Sequence, residues 1–256
     1  MRTLSLAAAL LMLAGCGQTN PSGKEGKEGK APPAKLGEAE FKVSSADFVA
    51  EWKKDSKAAL SKYKGKTVEV TGKVSSIGTN LSGDPVILLE SAPMKFDWTT
   101  CLPVERFPAK SLAPGQTATI KGRVHPDTFS AGLVDAEVVK AEGPKAQAFT
   151  ADELADEVGK SGFDEAMKKH KDKWMLVSGE VAEVKLDKAR AGDVVLKTKG
   201  KGPKIVARFS AMDEKSADAL KKAKRIEVLG QYSDLTVDKE KNEVGLFNCV
   251  PASEPK

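Results

Sequence analysis

The sequence predicts a mainly β protein with some α-helix, built as two tandem five-stranded barrels that are each preceded by an amphipathic helix. The segment from Tyr63 to Val74 recurs at His170 to Val181, an offset of 107 residues, with its glycine and its alternating apolar positions kept. Each copy also contains five segments with the apolar alternation of strands, and a helical segment between the third and the fourth. Such a repeat indicates a duplicated domain.

The first copy begins with a helix that we expect Ser45 to cap, since serine is a preferred N-terminal residue and Ala46-Asp47 fills the first turn. The helix carries an apolar stripe that includes Phe48, Trp52 and Leu60. Five strands are then expected near residues 67–74, 86–89, 98–102, 117–124 and 133–139, with a loose helical connection at 109–112.

The second copy repeats this order with Thr150 as the helix cap and an apolar stripe from Leu154 to Met167, weakened by Gly159 and Gly162. Its strands are expected near residues 175–181, 194–196, 205–209, 225–232 and 243–250, and its connecting helix over 216–224. Gly72 and Gly179 occupy the same position of the first strand in each copy, where a glycine fits a strand that bends around a small barrel.

Three strands, a helical connection and two more strands form the order of an OB-fold, a five-stranded Greek-key barrel. The Lys-Gly-Lys before the first strand, its Val-x-Gly-x-Val pattern, the cysteine ending the third strand and the closing Leu-x-x-Cys resemble the tRNA-anti-like OB-fold family over about residues 43–250. The resemblance implies tandem OB-folds of a bacterial secreted or lipid-anchored protein. On this alignment Cys101 corresponds to Arg208, and Ala136 to Cys249.

The N-terminus predicts a lipoprotein signal. Arg2 is followed by an apolar run from Leu4 to Leu13 that is too short to cross a bilayer, and by small residues before Cys16. Leu13-Ala14-Gly15-Cys16 resembles the lipobox of bacterial lipoproteins, which implies lipidation of Cys16 and cleavage before it. Gly17 resembles the sorting pattern for the outer membrane, so we expect an anchor in a bacterial membrane, with the periplasmic side of the outer membrane favoured.

The predicted domain organisation follows from these features. Residues 1–15 form the signal peptide, and residues 16–42 form a lipidated, disordered tether whose Lys-Glu-Gly repeats and prolines cannot bury enough apolar area to fold. Residues 43–142 form the first OB-fold-like domain, and residues 148–251 form the second.

The charge pattern argues against nucleic acid as a partner. The mature chain carries 40 Lys and Arg against 36 Asp and Glu, interleaved along most segments instead of clustered on one basic face. Phe96 and Trp98 are the one aromatic pair near the third strand of the first copy, Phe209 stands alone in the second, and Phe163 and Phe247 fall at core-like positions. The turns at 78–84 and 185–193 mark the face where this fold recognises partners.

The sequence contains no recognisable catalytic, cofactor or metal motif. His125 and His170 are too few for a metal cluster, and Lys199-Gly200-Lys201-Gly202-Pro203 leads into a strand, unlike a phosphate loop. Cys101 and Cys249 are expected either as two buried thiols, which is favoured, or as a disulfide between the domains.

We therefore expect a non-enzymatic, lipid-anchored envelope protein without a cofactor. Its OB-fold domains would bind an envelope protein, peptidoglycan or oligosaccharide. The alternative is a protein that binds single-stranded nucleic acid or another polyanion through the OB face.

Overall fold

Two closed β-barrels follow one another along the chain in the computed structural model. The structure describes residues 36–80, 84–92, 97–124, 131–188, 191–210, 212 and 214–256, with the side chains of 234–236 set aside. Residues Ala34–Lys256 form one compact unit that contains both barrels. The mainly β, tandem OB-fold architecture predicted from the repeat is confirmed.

The first barrel is built from six strands and two helices. They are β1 (Phe41–Ser44), α1 (Ser45–Lys54), α2 (Ser56–Tyr63), β2 (Thr67–Thr79), β3 (Pro85–Glu90), β4 (Trp98–Pro103), β5 (Thr117–Val124) and β6 (Gly132–Glu142), with a 3₁₀ turn at Pro108–Lys110. The ring runs β2-β3-β4-β6-β5 and closes where β5 pairs with β2, while β1 adds to β2 in parallel.

The second barrel repeats this architecture. Its elements are β7 (Gln147–Thr150), α3 (Ala151–Ser161), α4 (Phe163–His170), β8 (Trp174–Leu186), β9 (Gly192–Leu196), β10 (Lys204–Phe209), α5 (Glu214–Lys222), β11 (Arg225–Asp238) and β12 (Glu243–Pro251). The ring runs β8-β9-β10-β12-β11 and closes between β11 and β8, and β7 takes the place of β1.

The N-terminal helix of each copy is broken into two, which the sequence pattern did not predict. In the first copy, Asp55 leaves helical geometry and caps α2 by accepting a hydrogen bond from the Ala58 amide. In the second, Gly162 separates α3 from α4 at a φ of 81°, a conformation that glycine adopts without a steric penalty. The break lets both short helices pack against the barrel.

The predicted cap Ser45 is wrong by one residue, whereas Thr150 is confirmed. Ser44 caps α1, since its hydroxyl accepts the Asp47 amide at 3.0 Å. Ser45 is buried instead, and its hydroxyl donates to the Leu89 carbonyl oxygen at 3.2 Å. Thr150 forms a full capping box with Glu153.

Gly72 and Gly179 are explained by a close approach as well as by strand bending. A Cβ atom on Gly72 would lie 2.8 Å from Ser45 Cβ and 3.2 Å from Leu89 Cβ. A Cβ on Gly179 would lie 3.0 Å from Ala151 Cβ. In both copies, the first residue of the N-terminal helix therefore packs directly on the backbone of the first barrel strand.

The two barrels share an apolar contact. Leu229, Val250 and Ala252 belong to the second barrel but are buried in the same cluster as the core of the first, with Leu176 packed against it. β12 approaches β2, and β11 approaches the 3₁₀ turn. Arg106 adds a hydrogen bond from Nη2 to Ser216 Oγ at 3.1 Å. The barrels are therefore held against each other.

The strand positions that form this contact in the second barrel are occupied by charged residues in the first barrel. The register pairs Leu176 with Leu229 and Leu229 with Val250, whereas the first barrel pairs Glu69 with Lys121 and Lys121 with Glu137 in the equivalent rows. The outer face of β8, β11 and β12 therefore forms the interface, whereas the equivalent face of β2, β5 and β6 in the first barrel is polar.

Two observations bear on the predicted boundaries. β1 begins at Phe41, two residues before the expected start of the first domain, and Phe41 stacks edge-on against Tyr63 with ring centroids 4.9 Å apart. The signal peptide, Cys16 and most of the predicted tether lie outside the described residues. No helix in the described part of the chain is long and apolar enough to span a membrane.

Candidate functional site

The candidate site is the outer face of β3 and β4, because the OB-fold recognises ligands on its second and third strands and the adjoining loops. Side chains alternate along these strands, so Ile87, Leu89 and Cys101 fill the core. Leu88 and Thr100 lie opposite each other on the outer face, in a row that continues from Ser76 on β2 to Gly132 on β6.

Trp98 is the exposed aromatic residue of this face. It stands at the start of β4 with 36% of its surface exposed, directly opposite Glu90 on β3. The Glu90 carboxylate lies 3.9 Å from Lys73 Nζ. The Trp98 indole offers a flat apolar surface. The Glu90 carboxylate opposite it and the Thr100 hydroxyl two residues further along β4 add hydrogen-bonding groups at its margin.

The two strands of this face, β3 (Pro-Val-Ile-Leu-Leu-Glu) and β4 (Trp-Thr-Thr-Cys-Leu-Pro), contribute one charged side chain, Glu90, which is paired with Lys73 of β2. The half-buried Val86 and Leu102 extend the apolar surface beyond Leu88. The face is therefore suited to a neutral or apolar ligand surface.

The turns predicted to flank the ligand face have the same closure in both copies. The Asn80 amide donates to the Asp84 carbonyl oxygen at 2.9 Å, and the Asp187 amide donates to the Ala191 carbonyl oxygen at 2.8 Å. Asn80 Oδ1 and Asp187 Oδ1 each accept the amide four residues later. Residues 81–83 and 189–190 within these turns lie outside the described residues, as does Phe96.

The face of the second barrel has a different chemistry. Arg208 Nη2 lies 2.7 Å from Glu243 Oε1, and Arg208 Nε lies 3.6 Å from Asp193 Oδ1. Phe209 is buried in the core, so it supplies no stacking surface. Phe247, expected in the core, is 38% exposed on β12. The two barrels therefore present different surfaces to ligands.

Cys101 and Cys249 are free, buried thiols. Burial raises the pKa of Cys249 to about 12 and raises the pKa of Cys101 further, so neither is a nucleophile at neutral pH. The expected correspondence of Cys101 with Arg208 is wrong by one residue. Cys101 pairs with Ile87, and the residue that pairs with the equivalent Val194 is Ala207.

His170 is buried at the end of α4, and its Nε2 lies 2.7 Å from Glu157 Oε1. His170 Nδ1 and Tyr232 Oη have no hydrogen-bond partner in the described part of the chain. Burial and the Glu157 charge raise the pKa of Tyr232 to about 12. The sequence pattern predicted His170 at a helix end but did not indicate its two neighbours. Glu157 lies 13 residues earlier in the chain, and Tyr232 lies on β11.

Metal binding has no support in the described residues, where no group of three or more His, Cys, Asp and Glu side chains could hold an ion. His125 lies outside these residues.

The family is decided by a sequence comparison. The family model tRNA_anti-like matches residues 3–138, more than half of the chain. The chain belongs to this family. The match covers the first barrel as far as Val138 in β6, and the second barrel repeats its strand order and register. No curated protein matches the sequence.

Solved structures resemble the chain at low overall similarity. A candidate nucleic acid-binding lipoprotein from Klebsiella pneumoniae is 25% identical, with 38% of this chain and 91% of that chain covered and a TM-score of 0.32. A murine DNA-binding protein bound to double-stranded DNA is 11% identical, with 73% and 98% covered and a TM-score of 0.24. The Stn1–Ten1 complex of S. pombe is 13% identical, with 41% and 78% covered and a TM-score of 0.24. At TM-scores of 0.24 to 0.32 these likenesses carry no argument about a partner, so the expectation that argues against nucleic acid stays a prediction.

Proposed function

We propose that this protein is a non-enzymatic, lipid-anchored component of the bacterial envelope whose first barrel binds an envelope protein or glycan. The observation that carries the proposal is the face around Trp98, which combines an exposed indole with Leu88 and Thr100 on strands that have no basic residue. A groove for single-stranded nucleic acid requires positive charge along the backbone path together with stacking aromatics. In the first barrel, β3 and β4 carry the aromatic residue but no basic residue, and the nearby Lys73 is paired with Glu90.

The binding role is supported by the state of the reactive side chains. The two described cysteines are buried with raised pKa values, and the described histidine is buried against Glu157. These groups serve the core of each barrel. Non-covalent recognition by the outer face needs none of them.

Substitution of Trp98 tests the ligand face. We expect Trp98→Ala to weaken co-sedimentation of the mature chain with purified peptidoglycan sacculi, or cross-linking to an envelope protein from a photoreactive residue at position 100, by about tenfold. A tenfold effect corresponds to a loss of about 1.4 kcal/mol, which is typical of one aromatic contact residue. Phe247→Ala is the matched control, because Phe247 is equally exposed on the second barrel.

Equal loss in the two variants, or no loss in Trp98→Ala, would contradict the proposed face. Salt-sensitive binding of a single-stranded oligonucleotide that disappears in Trp98→Ala would favour the nucleic-acid alternative instead.

The membrane anchor is tested separately with Cys16→Ala. We expect radiolabelled fatty acid to label the wild-type chain and not the variant, because Cys16 is the proposed acceptor. The outer membrane, on its periplasmic side, is the proposed location, and sucrose-gradient fractionation of labelled membranes checks it. Equal labelling of both chains would overturn the lipoprotein assignment without affecting the ligand face.

A further inference from the structure

The second barrel contains a groove at the end of its ligand face. The residues that line this groove differ in charge from the residues at the equivalent positions of the first barrel. It encloses about 640 Å³ between the N-terminus of α3, the middle of β8 and the hairpin that joins β9 to β10. Four basic side chains line it: Lys197, Lys199, Lys204 and Arg225. They come from two separate parts of the sequence, residues 197–204 and the start of β11.

The register shows how the two barrels diverged at this place. Glu90 and Trp98 face each other at the end of β3 and β4, and the equivalent positions after Leu196 and before Ile205 are Lys197 and Lys204. Arg225 pairs with Glu180 on β8, where the first barrel pairs Thr117 with Lys73. A carboxylate, an indole and a hydroxyl are therefore replaced by three cations, while Lys73 is replaced by the carboxylate of Glu180. These four positions carry no net charge in the first barrel and a net charge of +2 in the second.

Two of these cations are not neutralised within the groove. Lys197 Nζ lies 3.3 Å from Glu180, and Lys199 Nζ lies 3.9 Å from Asp152. Lys204 and Arg225 are exposed and form no ion pair in the described part of the chain. The groove therefore keeps a net positive charge, with the hydroxyl groups of Ser178 and Thr198 available as further donors.

We propose that this groove binds the phosphate groups of an anionic envelope polymer. Arginine presents a planar pair of donors to phosphate and lysine acts as a mobile point charge, so Arg225 and Lys204 supply both kinds of contact. The lining contains no Phe, Tyr or Trp that could stack on a base. Recognition therefore depends on the phosphates of the ligand, and a polymer without bases satisfies it.

The test uses the mature chain and inorganic tripolyphosphate as the probe, with binding measured by calorimetry at low and at moderate salt. We expect Lys204→Glu combined with Arg225→Glu to weaken binding by at least about tenfold, since charge-assisted contacts to two cations are lost. The matched control is Lys57→Glu combined with Lys64→Glu, which makes the same charge change on exposed residues of the first barrel.

Three further probes distinguish the sources of the phosphate. A poly(glycerol phosphate) chain should bind at least as tightly as tripolyphosphate and lose affinity in the same variant. An equal loss in the control variant would show that net charge alone attracts the probe and would overturn the proposal. Binding confined to vesicles with 30% phosphatidylglycerol, or to an oligonucleotide with the same number of phosphates, would overturn it in favour of a membrane surface or a nucleic acid.

This inference rests on the proposed envelope location and not on the ligand face of the first barrel. Trp98→Ala should leave tripolyphosphate binding unchanged, and the Lys204 and Arg225 variant should leave sacculus sedimentation unchanged. Circular dichroism of each variant checks that both barrels remain folded, so a loss of binding reports on the groove.

Discussion

At the residue scale, one interaction recurs in both copies although the ring residue that forms it differs. Tyr63 and His170 occupy the same position at the end of the helical segment, and each contacts a carboxylate on the preceding helix. Tyr63 Oη donates to Glu51 Oε2 at 3.0 Å, and His170 Nε2 lies 2.7 Å from Glu157 Oε1. A lysine precedes each ring and bonds the same carboxylate. Each copy thus contains a glutamate carboxylate that is bound by a ring residue at the end of the second helix and by the lysine before it.

The pH dependence of stability follows from Glu157. Hydrogen bonds from Lys169 and then from His170 hold the pKa of Glu157 below its ordinary value of 4.5. A carboxylate with a lowered folded pKa stabilises the fold above its unfolded pKa, and this contribution is lost as the pH falls through the folded pKa. The stabilisation is therefore present at neutral pH and is lost below about pH 4.5.

Glu157→Gln should lower the free energy of unfolding by about 1–3 kcal/mol at pH 7, because a charge-assisted contact becomes a neutral one. The difference between wild type and variant should shrink when urea unfolding is repeated at pH 3.5. Glu165→Gln is the control, because Glu165 forms only an exposed pair with Lys168. A constant difference across this pH range would show that the charge of Glu157 is not what stabilises the fold.

At the scale of elements, the strand pattern was the most reliable part of the sequence. β5 was expected at 117–124 and is found at Thr117–Val124, because its apolar alternation and flanking turns are strong. β1 and β7 were missed, since four residues are too few for a periodic signal. They pair in parallel with the first half of β2 and of β8, because β3 and β9 occupy that side only along the second half.

The approach of α1 to β2 gives a prediction at this scale. Gly72→Ala should destabilise the first barrel by about 1–3 kcal/mol in urea unfolding, because the added Cβ would lie 2.8 Å from Ser45 Cβ and force a shift of helix or strand. Gly78→Ala on the same strand is the control, since a Cβ there meets no atom within 4 Å. Equal unfolding midpoints for the two variants would contradict this packing.

At the scale of the whole molecule, the contact between barrels decides how the protein unfolds. Leu229 and Val250 pack on the first barrel, and the equivalent residues of the first barrel are Lys121 and Glu137. Because burial of these side chains stabilises the contact, we expect the two barrels to unfold as one cooperative unit. The internal repeat indicates two domains, whereas their apolar contact places both barrels in one compact unit.

Replacing Leu229 and Val250 by the types of residue at the equivalent positions of the first barrel, a lysine and a glutamate, should uncouple the barrels. We expect wild type to unfold in one transition by calorimetry and by tryptophan fluorescence, which reports on Trp52 and Trp98 in one barrel and on Trp174 in the other. Leu229→Lys combined with Val250→Glu should separate this into two transitions, because two charges would be buried in an apolar interface. Lys121→Leu combined with Glu137→Val is the matched control and should keep a single transition.

The sequence by itself determined the duplication, the barrel strands and the order of an OB-fold, because apolar alternation and glycine positions are local signals. It also predicts the lipoprotein signal at Cys16. The tertiary structure decided which cysteine and cap positions correspond, and it brought Lys204 and Arg225 into one groove and Leu229 and Val250 into one interface. These depend on strand register and on the packing of the barrels, which bring together residues that are distant in the chain.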